Sequence, residues 1–202
     1  MGILGKYLGN NEPFSLRTAL DKCVVSNSEK GKAYIYKKFY GYIMAIVLRY
    51  MKHEMESEEI VNECFVKVFL KLNTFSVHED DIALEKTFKS WMGRIAVNTS
   101  IDALRVRKQM YMLDDLSMSE TRHFSVENAS SLEYQEILEM IRLLPDIQRT
   151  IFNLYEVEGY SHDEIGKKLE IPESTSRTYL TRAKQKLRKM YDSRVNLERM
   201  QS

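Results

Sequence analysis

The sequence predicts an all-α protein made of two small helical domains joined by a flexible acidic linker, the C-terminal one containing a helix-turn-helix. Three observations carry this. Apolar residues recur at helical spacing over several long stretches, as in Tyr36, Phe39, Tyr40, Ile43, Val47 and Tyr50. Helix breakers are scarce, with 8 Gly and 3 Pro in 202 residues. The periodicity lapses once, between Met110 and Ser131, where Asp114, Asp115, Glu120 and Glu127 stand among Ser and Met.

Residues 1–30 read as a lead-in holding one short helix over Ser15–Val25. Residues 31–109 form the first domain. Its first strong helix follows Gly31 and ends at the polar break Lys52–Glu56. The next opens at Ser57 and runs to about Leu72. Val61, Cys64, Phe65, Val68, Phe69 and Leu72 make its buried face, and Glu58, Glu59, Asn62, Glu63 and Lys67 its exposed one. Asn73–Leu84 is a polar connection carrying Phe75 and His78. Phe88–Gln109 is a third helix, with Trp91, Ile95, Val97, Ile101 and Leu104 interleaved with Arg94, Arg105, Arg107 and Lys108. A lone Trp is ordinarily core; beside arginines it is also a surface on which an unpaired base stacks.

After the linker at 110–131, residues 132–192 form the second domain, and 193–202 are a tail. Tyr134, Ile137, Leu138, Ile141 and Leu144 define a helix that Pro145 stops. Another helix opens at Pro145, and Gly159 closes it. Ser161 and Glu164 are spaced as a capping box, and Ile165 and Leu169 give the following helix one apolar edge. The turn Glu170, Ile171, Pro172 allows only a sharp change of direction. In the last helix Ser176, Leu180, Ala183 and Leu187 fall on one stripe. Ser174, Arg177, Thr178, Thr181, Arg182 and Gln185 face the other way, with Lys184, Lys186, Arg188 and Lys189 beyond. Guanidinium forks, amides and hydroxyls suit base edges in a major groove, and the lysines suit phosphates.

Several classes are excluded. The net charge of +1 is uninformative as a whole; its distribution matters, with an acidic linker and a basic last helix. Cys23 and Cys64 lie far apart, as expected of a reduced, cytoplasmic protein. Arg49 interrupts the best apolar run and the N-terminus lacks a signal-peptide pattern, so neither membrane insertion nor export is expected. No Glu-x-x-His, HExxH, P-loop, CxxC or Ser/His/Asp set is present. No cofactor, metal or catalytic residue is assigned, and the protein is not expected to be an enzyme.

Three segments in the same order resemble the extracytoplasmic-function sigma factors, the bacterial transcription-initiation subunits of RNA polymerase. SEEIVNECFVKVF (57–69) is similar to the family's AEDLVQExF segment, which implies that Glu59, Asn62 and Glu63 contact core polymerase. FKSWMGRIAVNTSIDALRVRK (88–108) is similar to F-x-x-W-L-x-x-I-A-x-N-x-x-x-D-x-x-R, which recognises and melts the minus-10 element. That match implies a minus-10 set of Trp91, Arg94, Asn98, Thr99, Asp102 and Arg105, with Phe75 walling the pocket of an extruded base. LPDIQRTIFNLYEVEGYSHDEIGKKLEIPESTSRTYLTRAKQKLRK (144–189) is similar to the family's minus-35 domain. It implies DNA contacts at Pro172, Ser174, Thr175, Arg177, Thr178, Thr181, Arg182 and Lys184. Gly166 stands where Ala is usual, which weakens its helix by about 1 kcal/mol, Ser174 where Gly is usual, and Tyr179 where Arg is common.

The resemblance implies a sigma factor that binds core RNA polymerase, recognises the minus-35 and minus-10 elements of promoter DNA and promotes melting. It implies an anti-sigma factor as a further partner. The acidic linker is expected to mimic nucleic acid in a polymerase channel. The alternative is a helix-turn-helix regulator that binds duplex DNA without recruiting polymerase as a sigma subunit. That reading lacks an account of Phe88–Lys108 and of the exposed acidic helix.

Overall fold

The computed structural model describes residues 14–51, 53–111 and 132–201. The linker acids Asp114, Asp115, Glu120 and Glu127 lie outside the described residues, as does the side chain of Tyr134. Helices α1 (Leu16–Ser26), α2 (Glu29–Val47), α3 (Glu54–Leu70) and α4 (Asp81–Tyr111) form the N-terminal part, with a 3₁₀ turn over Leu72–Thr74. The C-terminal part is α5 (Leu132–Arg142), α6 (Asp146–Phe152), α7 (His162–Leu169) and α8 (Glu173–Gln201). Among the described residues no helix is long and apolar enough to cross a membrane.

Local chemistry fixes most boundaries. Ser15 and Ser28 accept the Thr18 and Gly31 amides as N-caps of α1 and α2. Asn27 takes the left-handed conformation at φ 51° to turn the chain between them. A Cβ on Gly31 would stand 2.7 Å from Cys23 Sγ and 2.8 Å from the Ala19 carbonyl oxygen, so glycine lets α1 and α2 cross closely. Leu16, Ala19, Leu20 and Cys23 are buried in that crossing. The segment read as a lead-in therefore contributes a packed helix. α4 begins seven residues before Phe88, because Asp80 Oδ2 accepts the Ala83 amide at 2.6 Å and starts the helix there. The acidic run Glu79–Asp81 at its entry masked that start in the sequence, although Leu84 in its first turn is buried.

Ile35, Phe39, Ile43, Val61, Phe65, Val68, Phe88 and Met92 form the N-terminal core, with Phe39 and Phe88 edge to face at 5.4 Å. In the C-terminal part α6 runs into one π-helical turn, Asn153–Val157, and Gly159 (φ 77°) ends it. Ile151, Leu154, Ile165, Leu169, Leu180 and Ala183 are buried there.

The two parts meet. Arg149, 2% exposed, donates from Nη2 to the Tyr50 carbonyl at 2.9 Å, and Asn153 Nδ2 donates to the Arg49 carbonyl at 2.8 Å. These acceptors lie in the turn closing α2, where carbonyls lack helical partners and favour a cation. Arg49 Nη1 in turn pairs with Glu158 Oε1 at 2.9 Å.

Candidate nucleic-acid interface

The pair α7–α8 is held by polar contacts at both ends. The Ser161–Glu164 capping box opens α7: Glu164 Oε2 accepts the Ser161 amide at 2.8 Å, and Ser161 Oγ accepts the Glu164 amide at 3.3 Å. That arrangement holds the Glu164 carboxyl below its usual range. His162, 8% exposed, joins its Nδ1 to Ser176 Oγ at 2.9 Å and stacks on Tyr155 at 4.5 Å. Burial, then the Arg177 charge, holds its imidazole below the ordinary value. At the turn, Glu170 adopts φ 54° and the Ile171 amide bonds back to the Gly166 carbonyl at 3.0 Å. A Cβ on Gly166 would meet the Ile171 carbonyl oxygen at 2.9 Å. The glycine thus costs helix propensity but makes room for the tight turn.

α8 buries Ser176, Leu180 and Ala183 and turns Ser174, Arg177, Thr178, Thr181, Arg182 and Lys184 to solvent, with Pro172 exposed at its start and Thr175 half-buried. Arg177 pairs with Glu173 along the helix, and Lys184 Nζ pairs with Glu156 Oε1 at 2.7 Å. The Thr178 and Thr181 hydroxyls donate to the Ser174 and Arg177 carbonyls at 2.9 and 3.0 Å, leaving their oxygens as outward acceptors. Arg182 lies over the Tyr179 ring at 5.8 Å. The face is long, cationic and rich in donors.

On α4, Trp91, Arg94, Asn98, Asp102 and Arg105 follow one another at steps of three and four residues and so share a face. Arg94, Asn98 and Asp102 are exposed; Trp91 and Arg105 are half-buried. Trp91 packs on Phe75 at 5.3 Å and on Phe88 at 5.7 Å, so much of its ring serves packing. Phe75 contacts Phe88 at 5.1 Å and lies half-buried beside it. Thr99 is 1% exposed and turns away from this face toward Cys64, whose thiol burial pushes up to about 11, the Thr99 hydroxyl opposing.

Part of the α4 face is already occupied. Lys168 Nζ of α7 donates to Asn98 Oδ1 at 2.7 Å and lies 4.8 Å over the Tyr160 ring. Arg105 pairs with Glu170 of the α7–α8 turn. Arg94 acts electrostatically on Tyr160, a phenol whose pKa burial raises. The sequence carried no signal for Lys168 and Glu170 as neighbours of Asn98 and Arg105. Their apposition is tertiary, about 70 residues distant along the chain.

On α3, Glu59, Asn62 and Glu63 are all exposed on one side. Asn62 Oδ1 accepts from the Tyr36 hydroxyl at 3.0 Å, and Glu63 Oε1 pairs with Lys67 Nζ at 2.7 Å. The acidic side of α3 and the mixed face of α4 are bridged by Lys67, whose ammonium also lies 3.8 Å from Asp102 Oδ2.

Residues 35–109 match the family model "Sigma-70 region 2", and residues 134–187 match "Sigma-70, region 4". The chain belongs to the extracytoplasmic-function sigma factors. It is 29% identical over 164 residues to the ECF RNA polymerase sigma factor SigW of Bacillus subtilis, covering 73% of this chain and 81% of that one. To SigM of the same organism it is 25% identical over 166 residues, covering 81% and 97%. Among solved structures it is similar in fold to the Bartonella quintana sigma factor RpoE, crystallised with the anti-sigma factor NepR. That likeness has a TM-score of 0.51 and 17% identity and covers 79% of this chain and 96% of that one. The all-α fold with two sigma regions follows, and so does function as an RNA polymerase sigma factor. The reading as a duplex-binding regulator alone is not favoured. The family points to a non-catalytic regulator.

Proposed function

We propose that this sigma factor uses three faces in sequence during initiation. The acidic side of α3, through Glu59, Asn62 and Glu63, docks on core polymerase. The exposed face of α8 reads the minus-35 duplex, with Arg177 and Arg182 on base edges and Lys184 on phosphate. The α4 face, with Arg94, Asn98, Asp102 and Arg105, takes the separated minus-10 strand, and Phe75 walls the pocket of an extruded base. Unstacking a base costs a few kcal/mol, recovered by stacking and edge contacts on one strand. Thr99 acts here through packing beneath Asn98. The domains work as 31–109 and 132–192, with α1 packed on the first and 110–131 as tether.

The observation that carries this reading is the single face on α4 that joins Trp91 to Arg105, set beside the aromatic group of Phe75 and Phe88. Because Asn98 and Arg105 are bonded to Lys168 and Glu170, the described arrangement is closed. Polymerase binding parts α7 from α4 and frees the α4 face, while the α8 face is already turned to solvent. An anti-sigma factor is the expected antagonist, and the cytoplasm the expected compartment, where polymerase and promoter are. Asn98→Ala in a holoenzyme tests the reading: open-complex formation falls while binding to core polymerase is kept. Equal open-complex yield would remove α4 from promoter melting.

A further inference from the structure

Arg17 lies on α1, outside the residues matched by either family model, yet its guanidinium reaches the loop between α3 and α4. Nε and Nη2 donate to Asp81 Oδ1 at 3.0 and 2.8 Å. Nη2 is shared further with the His78 carbonyl at 2.8 Å and with the Glu79 carbonyl. One side chain thus grips two successive backbone carbonyls and the first residue of α4. Arginine's planar fork suits this task; an ammonium is a point charge.

The loop has little else to hold it. Residues 76–80 are all exposed, Val77 among them at 47%. Phe75 anchors the loop's start against Phe88 and Trp91, and Asp80 anchors its end by capping α4. Between these anchors Arg17 supplies a third, carried on a helix whose own apolar side is buried against α2. Arg17 is itself only one-third exposed, whereas Asp81 is 74% exposed. An ion pair so wetted contributes little to stability. Its consequence is geometric: the loop backbone is fixed relative to α4, and Phe75 with it.

We propose that Arg17 is a positioning residue for minus-10 reading, holding loop 75–80 so that Phe75 and the loop backbone accept one base of the separated strand over the others. The inference rests on the assignment of Phe75 and the α4 face to that strand. α1 becomes, on this account, part of the specificity apparatus although it touches no DNA itself.

The test uses holoenzyme assembled from core polymerase and the full-length protein, either wild type, Arg17→Lys or Arg17→Ala. Arg17→Lys keeps the charge and most of the aliphatic packing, so it folds even where Arg17→Ala does not. Binding is measured to labelled single-stranded minus-10 oligonucleotides substituted one base at a time. With Arg17→Lys, discrimination at one position falls about tenfold, while core affinity, minus-35 duplex binding and melting temperature stay near wild type. Unchanged discrimination, or an equal loss on every oligonucleotide, overturns the proposal and leaves Arg17 a mere staple of α1. If instead the wild-type holoenzyme discriminates among no bases and Phe75→Ala changes nothing, the strand assignment itself fails, and the proposal with it.

Discussion

Removing Lys168 and Glu170 together opens the closed arrangement, because each holds one residue of the α4 face. Lys168 gives Asn98 a single charge-assisted hydrogen bond of 2.7 Å at the surface. Glu170 pairs with Arg105 where the two side chains are 61% and 40% exposed. Exposed contacts of this class are each worth about 0.2–1 kcal/mol, so Lys168→Ala/Glu170→Ala removes roughly 0.5–2 kcal/mol and shifts the closed-to-open ratio about 2- to 30-fold. Arg149 and Asn153 still hold the turn after α2, so the two parts stay joined there while α7 swings away from α4. Two assays report the shift. Fluorescence transfer between dyes on α3 and the end of α8 falls in the free protein, and affinity of the free protein for single-stranded minus-10 DNA rises by the same factor. Higher salt lowers the fluorescence transfer of the wild type and changes that of the double variant less, because screening weakens the exposed pairs. Unchanged transfer and unchanged affinity in the double variant would refute the argument that these contacts mask the α4 face.

Other outcomes follow from single residues. Arg177→Ala costs about 1–3 kcal/mol of promoter affinity and relaxes preference at one minus-35 position; a loss uniform over all sequences, in a competition assay, marks it as a phosphate contact. His162 gives a pH dependence. Its folded pKa lies below the ordinary 6.5, through burial first and then Arg177, with Lys184 acting in the same sense and Glu173 against. The unfolded chain therefore takes up the proton more readily. The His162 contribution is full above about 6.5 and is lost as pH falls below it. Melting temperatures across pH, compared with those of His162→Gln, should show a steeper acid decline in the wild type. Gly166→Ala gains about 1 kcal/mol of helix propensity but presses a methyl on the Ile171 carbonyl, an overpacking of about 1–3 kcal/mol. Thermal melting is expected to fall and minus-35 binding with it; a rise would show that the turn yields freely.

Much of this architecture was legible because helices announce themselves locally. The Ser161–Glu164 box, Gly159 and the α8 stripe of Ser176, Leu180, Ala183 and Leu187 each follow from spacing; the box and the glycine stand where spacing placed them, and the stripe is buried at its first three residues and half-buried at Leu187. The α4 face was legible as a set of residues, since Trp91, Arg94, Asn98, Asp102 and Arg105 repeat at helical steps. Thr99 was not, because adjacency to Asn98 in sequence puts it about 100° around the helix and into the core. The start of α4 was hidden for a different reason: Asp80 caps it from within the acidic run Glu79–Asp81, which reads as part of the preceding loop. Contacts between distant segments left no trace in the sequence. Arg17 on the loop after α3, Arg149 on the Tyr50 carbonyl and Lys168 on Asn98 depend on how the helices pack.

Transcription in vitro from a library of randomised promoters shows whether this protein selects promoters for core polymerase. With core polymerase and this protein together, transcripts should start from promoters that share two short elements at fixed spacing. Substitutions on α8 should alter selection only at the upstream element, and those on the α4 face only at the downstream one. Neither core alone nor protein alone should select any. A protein that bound duplex DNA specifically but formed no complex with core polymerase, and started no transcript, would contradict the account.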